Sequence, residues 1–415
     1  MREKWQLAKV GAERAEEVAV LEQWAWGDMS FAGRTERAKR LLDWERSWAA
    51  ETQSGELIGF AASFHFDLPV PGAVLPTGGL TYVSVHPQHR RRGILRELLN
   101  KHFANSLQRG ELASLLTASE IPIYTRFGYG QVDRVIEARL PKGVPLWDVS
   151  GQDEVEIVFE RADNAASVAL AEQVYQQAGR HMPRPGRIPA GQDGPWAEHF
   201  FDPPEQLESA ETLRLAIAFR DGQPTGFATF RRKERWDDNG AAAGVIRVYQ
   251  LVAADAATAR ALWGMLTNLD LMATIIVESI PADDPLFFLL RDPRQAVMRC
   301  GDFLHLRILD LPGALAARKY QASANLVIEV GDDLLQANAG RWLLQLADGR
   351  AEVSRTDADA DLSLDIRVLA SLYLGGFSAV SYGDAGLIQE HTAGSAETLA
   401  RAMWTPRAPG TPFGF

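Results

Sequence analysis

Three consecutive arginines stand where a helix begins, and few arrangements of a chain make that favourable. The run from Gly79 to Gly130 opens with Leu80 to Val85, β-branched and aromatic, which reads as a strand. Pro87 ends it. Ile94, Leu95, Leu98, Leu99 and Phe103 then recur at steps of three and four, the period of a helix with one buried face. Arg90, Arg91 and Arg92 fall at the start of that helix, where the positive end of the backbone dipole repels cations. A local rule broken inside a well-patterned region points to function. An anion held by the free N–H groups of the first turn makes sense of both the arginines and Gly93. The competing reading is a solvated basic face or an RNA patch, and the strand–turn–helix setting favours the anion.

The same residues carry a resemblance. Val83-Ser84-Val85-His86-Pro87-Gln88-His89-Arg90-Arg91-Arg92-Gly93-Ile94-Leu95 resembles the acetyl-CoA-binding motif of the GCN5-related N-acetyltransferases (GNAT), Arg/Gln-x-x-Gly-x-Gly/Ala. Leu95 stands where that pattern ends on a small residue. Ser119-Glu120-Ile121-Pro122-Ile123-Tyr124-Thr125-Arg126-Phe127-Gly128-Tyr129-Gly130 is more specific. With the HRRRG run and the final Phe415, it resembles the enhanced-intracellular-survival (Eis) subfamily of aminoglycoside and lysine acetyltransferases, over essentially the whole chain. The resemblance implies an α+β chain of tandem GNAT folds, the second degenerate, followed by a sterol-carrier-protein-like α/β domain. The expected boundaries are 1–150, 151–296 and 297–415. It also implies a homo-oligomer, a hexamer.

Internal comparison supports the tandem plan. Ala49 to Phe66 reads as strand, Ser54-Gly55 turn, strand, and Leu213 to Phe230 as strand, Asp-Gly turn, strand. Gly226-Phe227-Ala228 matches Gly59-Phe60-Ala61. Val245 to Val252 and a helix near Ala256 to Leu269 then take the places of the basic strand–helix pair, with ADAATARALW where HPQHRRRGIL stood. The second copy keeps the plan without the phosphate cradle. PVPGAVLPTGG, before Leu80, reads as a loop. Gly179 to Gly194, rich in Pro, Gly and Arg, is either a mobile loop or an oligomer contact. Beyond about residue 297, FLHLRILDL, NLVIEV, WLLQLADG, AEVSRT and DLSLDI read as short strands, with helices near Val368–Leu374 and Glu397–Met403. These are assigned to the third domain.

Composition excludes more than it asserts. A chain of 415 residues exceeds one ordinary core. No apolar run approaches the ~20 residues of a membrane span, and none of the sequence suggests a membrane partner. Cys300 is the single cysteine and the N-terminus has no apolar signal core, so a cytoplasmic location is expected. A net charge of −11 argues against nucleic acid as a partner and favours cationic small molecules. No HExxH, P-loop or GxSxG motif occurs, and no metal is expected.

Acetyl transfer from a thioester to an amine needs a polarised carbonyl, a neutral amine, a protonated leaving sulfur and alignment. The resemblance distributes these roles. Acetyl-CoA is the implied co-substrate, contacted by Val83, Ser84, Val85, Arg90, Arg91, Arg92, Gly93, Ile94, Leu95, Ser119 and Ile121. Tyr124 is the implied general acid, for which a depressed phenol pKa would help a full proton transfer. The α-carboxylate of Phe415 is implied to fold into the site and assist the amine; the competing expectation for a terminus is fraying, against which apolar Pro412, Phe413 and Phe415 argue. Gly414 stands where some family members carry an acid that contacts the substrate. Trp26, Asp28, Phe31 and Tyr82 are candidates for a wall that attracts a cationic amine, the alternative for the Trp24–Phe31 stretch being a loop that caps the core. The expected activity is direct acetylation of a primary amine on an aminoglycoside-like polyamine or a lysine side chain. A lipid-binding or scaffold protein built on the third domain, and an acetyltransferase of a protein lysine, are the alternatives.

Overall fold

The computed structural model describes residues 4–27, 33–181, 183–191, 194–202 and 210–415. Asp28 and Phe31, two of the substrate-wall candidates, lie outside the described residues. The chain divides into two compact units: Met1–Asp133, Leu304–Pro406 and Phe415 form one, Arg134–Phe303 and Arg407–Gly414 the other.

The first unit is built on a seven-stranded sheet. Six of its strands are β1 (Trp5–Lys9), β2 (Trp48–Thr52), β3 (Leu57–Val70), β4 (Ala73–Val85), β5 (Ala113–Thr117) and β6 (Gly130–Gln131). Between β5 and β6 lies β14, Leu304–Ile308. The FLHLRILDL segment, expected in the third domain, therefore completes the first sheet. Strand alternation gives the sheet two buried faces: Ala49 and Phe60 pack with α1 (Ala15–Trp26) and α2 (Arg34–Leu41), while Ala50 and Ala61 pack with α3 (Ile94–Gln108). The PVPGAVLPTGG stretch is not a loop. Only Pro71 and Gly72 turn, and β3 pairs with β4 as far as Val70↔Ala73. Leu68, Val70 and Leu75 bury this extension, which outweighs the turn signal of its prolines.

The second unit repeats the plan with β7 (Val135–Pro141), β8 (Glu156–Arg161), β9 (Arg214–Arg220), β10 (Gln223–Lys233), β11 (Gly244–Ala253), β12 (Met272–Pro281) and β13 (Val297–Gly301). Their order is β13-β7-β12-β11-β10-β9-β8, so Val135–Pro141, expected within residues 1–150, belongs to this second sheet. Asp221 and Gly222, both at positive φ, make the two-residue turn read from the sequence. The repeat extends to close packing. A Cβ on Gly59 would meet Ile94 at 2.6 Å and Leu98 at 3.4 Å of α3. One on Gly226 would meet Thr258 at 2.5 Å and Leu262 at 3.0 Å of the helix Ala256–Thr267. Each glycine lets a helix lie against its strand.

The remainder of the first unit is a five-stranded sheet of β15 (Ala324–Gly331), β16 (Gly340–Ala347), β17 (Arg350–Arg355), β18 (Leu362–Asp365) and β19 (Ile388–Glu390). The helices expected there form as Ile366–Tyr373 and Ser395–Met403. A buried ion pair ties this part to the first sheet. Arg307 of β14, wholly buried, donates to both oxygens of Asp332 at 2.7 and 2.6 Å. Removing one partner strands a desolvated charge. Asp332→Ala is expected to reduce unfolding free energy by about 3–5 kcal/mol, read as a lower urea midpoint.

Candidate active site

Strand β4 leaves its neighbour half-way along. It pairs in parallel with β5 only over Thr77–Gly79, so Leu80–Val85 has an open edge. His86 N–H donates to the Ile58 carbonyl on the β3 side, and strand alternation then turns the Val85 N–H toward that edge. Against β3 the register slips, with Ala61 facing both Tyr82 and Val83, and Tyr82 takes φ +51°. Such strain in a non-glycine residue persists only where surrounding structure enforces it.

The chain leaves β4 through Pro87–His89, a single 3-10 turn, and enters α3 with Arg91 at φ +60° and Gly93 at φ +84°. The first-turn N–H groups of α3 have no acceptor within the helix. Two left-handed residues ahead of such an end shape a concavity for an anion. A cavity of about 590 Å³ opens there, bounded by the open edge of β4, the start of α3 and the short helix α4, Ile121–Thr125.

Most of the residues expected to hold the cofactor meet in this cavity: Val83, Val85, Arg90, Arg91, Gly93, Ile94, Leu95 and Ser119. Three do not line it. Ser84 is buried on β4 between Val83 and Val85, where alternation sends its side chain the other way. Arg92 donates to His89 Nδ1 at 2.5 Å, and Ile121 opens α4 without lining the cavity. Ile123 takes the lining position instead, together with Glu120, Arg96 and Arg126, which sequence reasoning missed. Arg126 sits inside the quoted motif, and Arg96 three residues past Gly93 on the helix face opposite the apolar stripe. Both were legible as cations near a proposed anion.

Tyr124 lines the cavity, and its hydroxyl makes no hydrogen bond among the described residues. Burial, helped by the charge of Glu120, pushes its phenol up to about 12. This reverses the depressed value that would favour full proton transfer. Tyr129, by contrast, is wholly buried, with its hydroxyl 2.7 Å from Ser114 Oγ, which lies 2.7 Å from His102 Nε2. It packs.

Phe415 lies on the opposite face of the sheet. A Cβ on Gly78 would meet Ser106 and His102 of α3, whereas one on Gly79 would meet Phe66 and Phe415. The Phe415 ring packs edge-on against Phe66 at 4.9 Å and Phe64 at 6.2 Å. Thr117 Oγ1, at the end of β5, donates to the Phe415 main-chain oxygen at 3.3 Å. Tyr82 packs on that same face with the cluster under α1, while Trp26 lines the cavity from the last turn of α1. The two wall candidates within the described residues thus divide between faces.

Comparison with known proteins accounts for this geometry. Models described as an acetyltransferase (GNAT) domain match residues 7–132 and 192–308, and a sterol carrier protein domain matches residues 311–412. The chain is 36% identical over 336 residues to the N-acetyltransferase Eis of Mycobacterium tuberculosis, spanning 78% of this chain and 77% of that one. The chain belongs to the Eis family of N-acetyltransferases. An N-acetyltransferase of Streptomyces avermitilis is 35% identical over 395 residues, 93% of this chain and 95% of its own. The crystal structure of Eis1 from Mycobacterium abscessus matches with a TM-score of 0.81 at 29% identity, covering 99% of this chain and 100% of that one. The chain is an acyltransferase of the Eis type; GNAT acetyltransferases use acetyl-CoA, and Eis-like acetyltransferases act on amines. Its own residues fit that donor: apolar Val83, Val85 and Leu95 for a thin organic arm, arginines and a left-handed turn for its phosphates. Among the described residues no helix is long and apolar enough to cross a membrane.

Proposed function

We propose that the chain acetylates a primary amine of a cationic small molecule, an aminoglycoside-like polyamine, or of a lysine side chain, by direct transfer from acetyl-CoA. The observation that carries this reading is the convergence of the Arg91–Gly93 turn, the open edge of β4 and the free Tyr124 hydroxyl on one cavity. The co-substrate, when bound, supplies the activated acyl group. Arg90, Arg91 and the first N–H groups of α3 hold its phosphates, and the Val85 N–H lies on the edge available to the thioester carbonyl. The acceptor approaches from the other face, where Phe415 lies over Gly79. Its carboxylate anchors the cationic amine; the neutral fraction held there attacks the thioester carbonyl, and the carboxylate takes up the proton that the nitrogen loses once it is acylated. Tyr124 donates a hydrogen bond to the departing sulfur.

A screen of aminoglycosides, polyamines and a lysine peptide by release of CoA thiol tests the proposal. Turnover with at least one amine is expected, and none with any amine overturns it. Comparing the aminoglycoside with the peptide separates small-molecule from protein acetylation. Arg91→Ala removes one or two charge-assisted bonds of about 1.5–3 kcal/mol in all. The KM for acetyl-CoA should rise roughly 10- to 100-fold, with kcat little changed.

A further inference from the structure

The second unit keeps a cleft of its own. β11 pairs in parallel with β12 only over Gly244–Val248, so Tyr249–Ala253 is left with an open edge, as in β4. The helix that follows is closed to phosphate. Asp255 caps the helix Ala256–Thr267, accepting from the Thr258 N–H at 2.9 Å, and pairs with Arg220 at 2.6 Å. The chain's own carboxylate thus fills the position that the arginines leave open to a ligand in the first unit, and a diphosphate is repelled there.

A cavity of about 310 Å³ nevertheless persists along this edge, closed on one side by Arg407–Pro412. That volume suits a small ligand. Its donors are unmatched. Arg187 stacks over Tyr175 at 3.8 Å and gives one N–H to the Tyr175 carbonyl, but its buried Nε has no partner. Arg407 has no hydrogen bond or ion pair among the described residues. Trp263 is wholly buried, and its indole N–H has no acceptor. The carboxylates in the lining are already engaged, Asp255 as above and Asp284 on the Leu286 N–H at 2.9 Å. Arg184, also in the lining, is held by Asp283 and the Ala408 carbonyl. Two arginines without a carboxylate partner, Arg187 and Arg407, on the wall of one largely apolar cavity call for an anion that the protein does not supply.

We propose that this cavity binds a small monocarboxylate with a short apolar body. Its oxygens accept from Arg187 and Arg407, while its body lies against Val252, Ala256 and Ala259. This assigns a role to the basic Gly179–Gly194 segment, whose Arg184 and Arg187 form part of the wall, and it does not depend on the chemistry of the first unit.

Calorimetric titration of the full chain with octanoate tests the site, with octanol as the neutral control. Octanoate should bind at least tenfold more tightly than octanol. Arg407→Ala should weaken it tenfold or more, Ala259→Leu should abolish it by filling the cavity, and amide exchange over residues 407–412 should slow on binding. No octanoate binding, equal binding of octanol, or an affinity indifferent to Arg407→Ala overturns the assignment. The last outcome places the fatty acid elsewhere on the chain. Arg407 is partly exposed and unpaired, so its variant tests the site even if Ala259→Leu does not fold.

Discussion

Tyr124→Phe is expected to lower kcat by about 10²-fold while leaving the affinity for acetyl-CoA within about twofold. The hydroxyl is the only group removed, and it supports nothing in the fold, since it has no partner among the described residues. A phenol at about 12 does not readily surrender its proton to sulfur. Transfer to a thiolate near ~8.5 is uphill by about 5 kcal/mol, which is why the proposed role is a strong hydrogen bond to developing charge rather than outright donation. A pH test follows. A group whose pKa is raised stays protonated until the pH approaches that value, so Tyr124 remains a donor throughout pH 6–10. The pH dependence of kcat in that range should therefore have the same shape in wild type and Tyr124→Phe, shifted down as a whole. An alkaline fall between pH 8 and 10 that disappears in the variant would mean the phenol titrates far below its buried value. Unchanged turnover in Tyr124→Phe would remove it from the chemistry.

The strand, turn and helix start that border the cavity were legible because their signals are local. A strand ended by Pro87, arginines where a helix dipole disfavours them and a glycine at φ +84° all fall within fifteen residues. The strand memberships were not legible. Leu304–Ile308 carries the same apolar character as the strands that follow it, and nothing in its own period says that it slots between β5 and β6, more than a hundred residues upstream. Prolines misled the reading of residues 69–79, because Pro69 and Pro76 sit within a long hairpin and the turn itself needs only Pro71 and Gly72. Among site residues, Ser84 and Ile121 were included by position in a motif; strand alternation turns the Ser84 side chain away from the cavity, and Ile121 opens α4 outside its lining. The rise in the Tyr124 pKa comes from burial, which no spacing reveals. The degeneracy of the second repeat was readable from its missing arginines. What replaced them, a carboxylate capping its own helix, needed the fold.

Extending the chain beyond Phe415 by a short Gly-Ser tag is expected to lower kcat/KM for the amine by about 10²-fold, with acetyl-CoA binding intact. The tag converts the carboxylate to a neutral amide and adds atoms where the Phe415 ring fills the space over Gly79, against Phe66 and Phe64. Charge and fit are separable. Phe415→Ala keeps a terminal carboxylate but loses the aromatic anchor, so the charged group is placed less often and a smaller loss is expected. Deleting Phe415 leaves a carboxylate one residue short of Thr117 and should resemble the tag. The direct proton balance is unfavourable: a terminal carboxyl near ~3.5 facing an ammonium near ~10 is mismatched by about 9 kcal/mol. The carboxylate therefore cannot strip the amine in a separate step. In the proposed mechanism it holds the cation in place, the free-amine fraction attacks the thioester, and the carboxylate then receives the proton that the new bond to nitrogen has made acidic, so its effect should fall on the amine and spare the donor. A tagged enzyme with full activity toward the amine would show that the terminus is an anchor for the fold and nothing more.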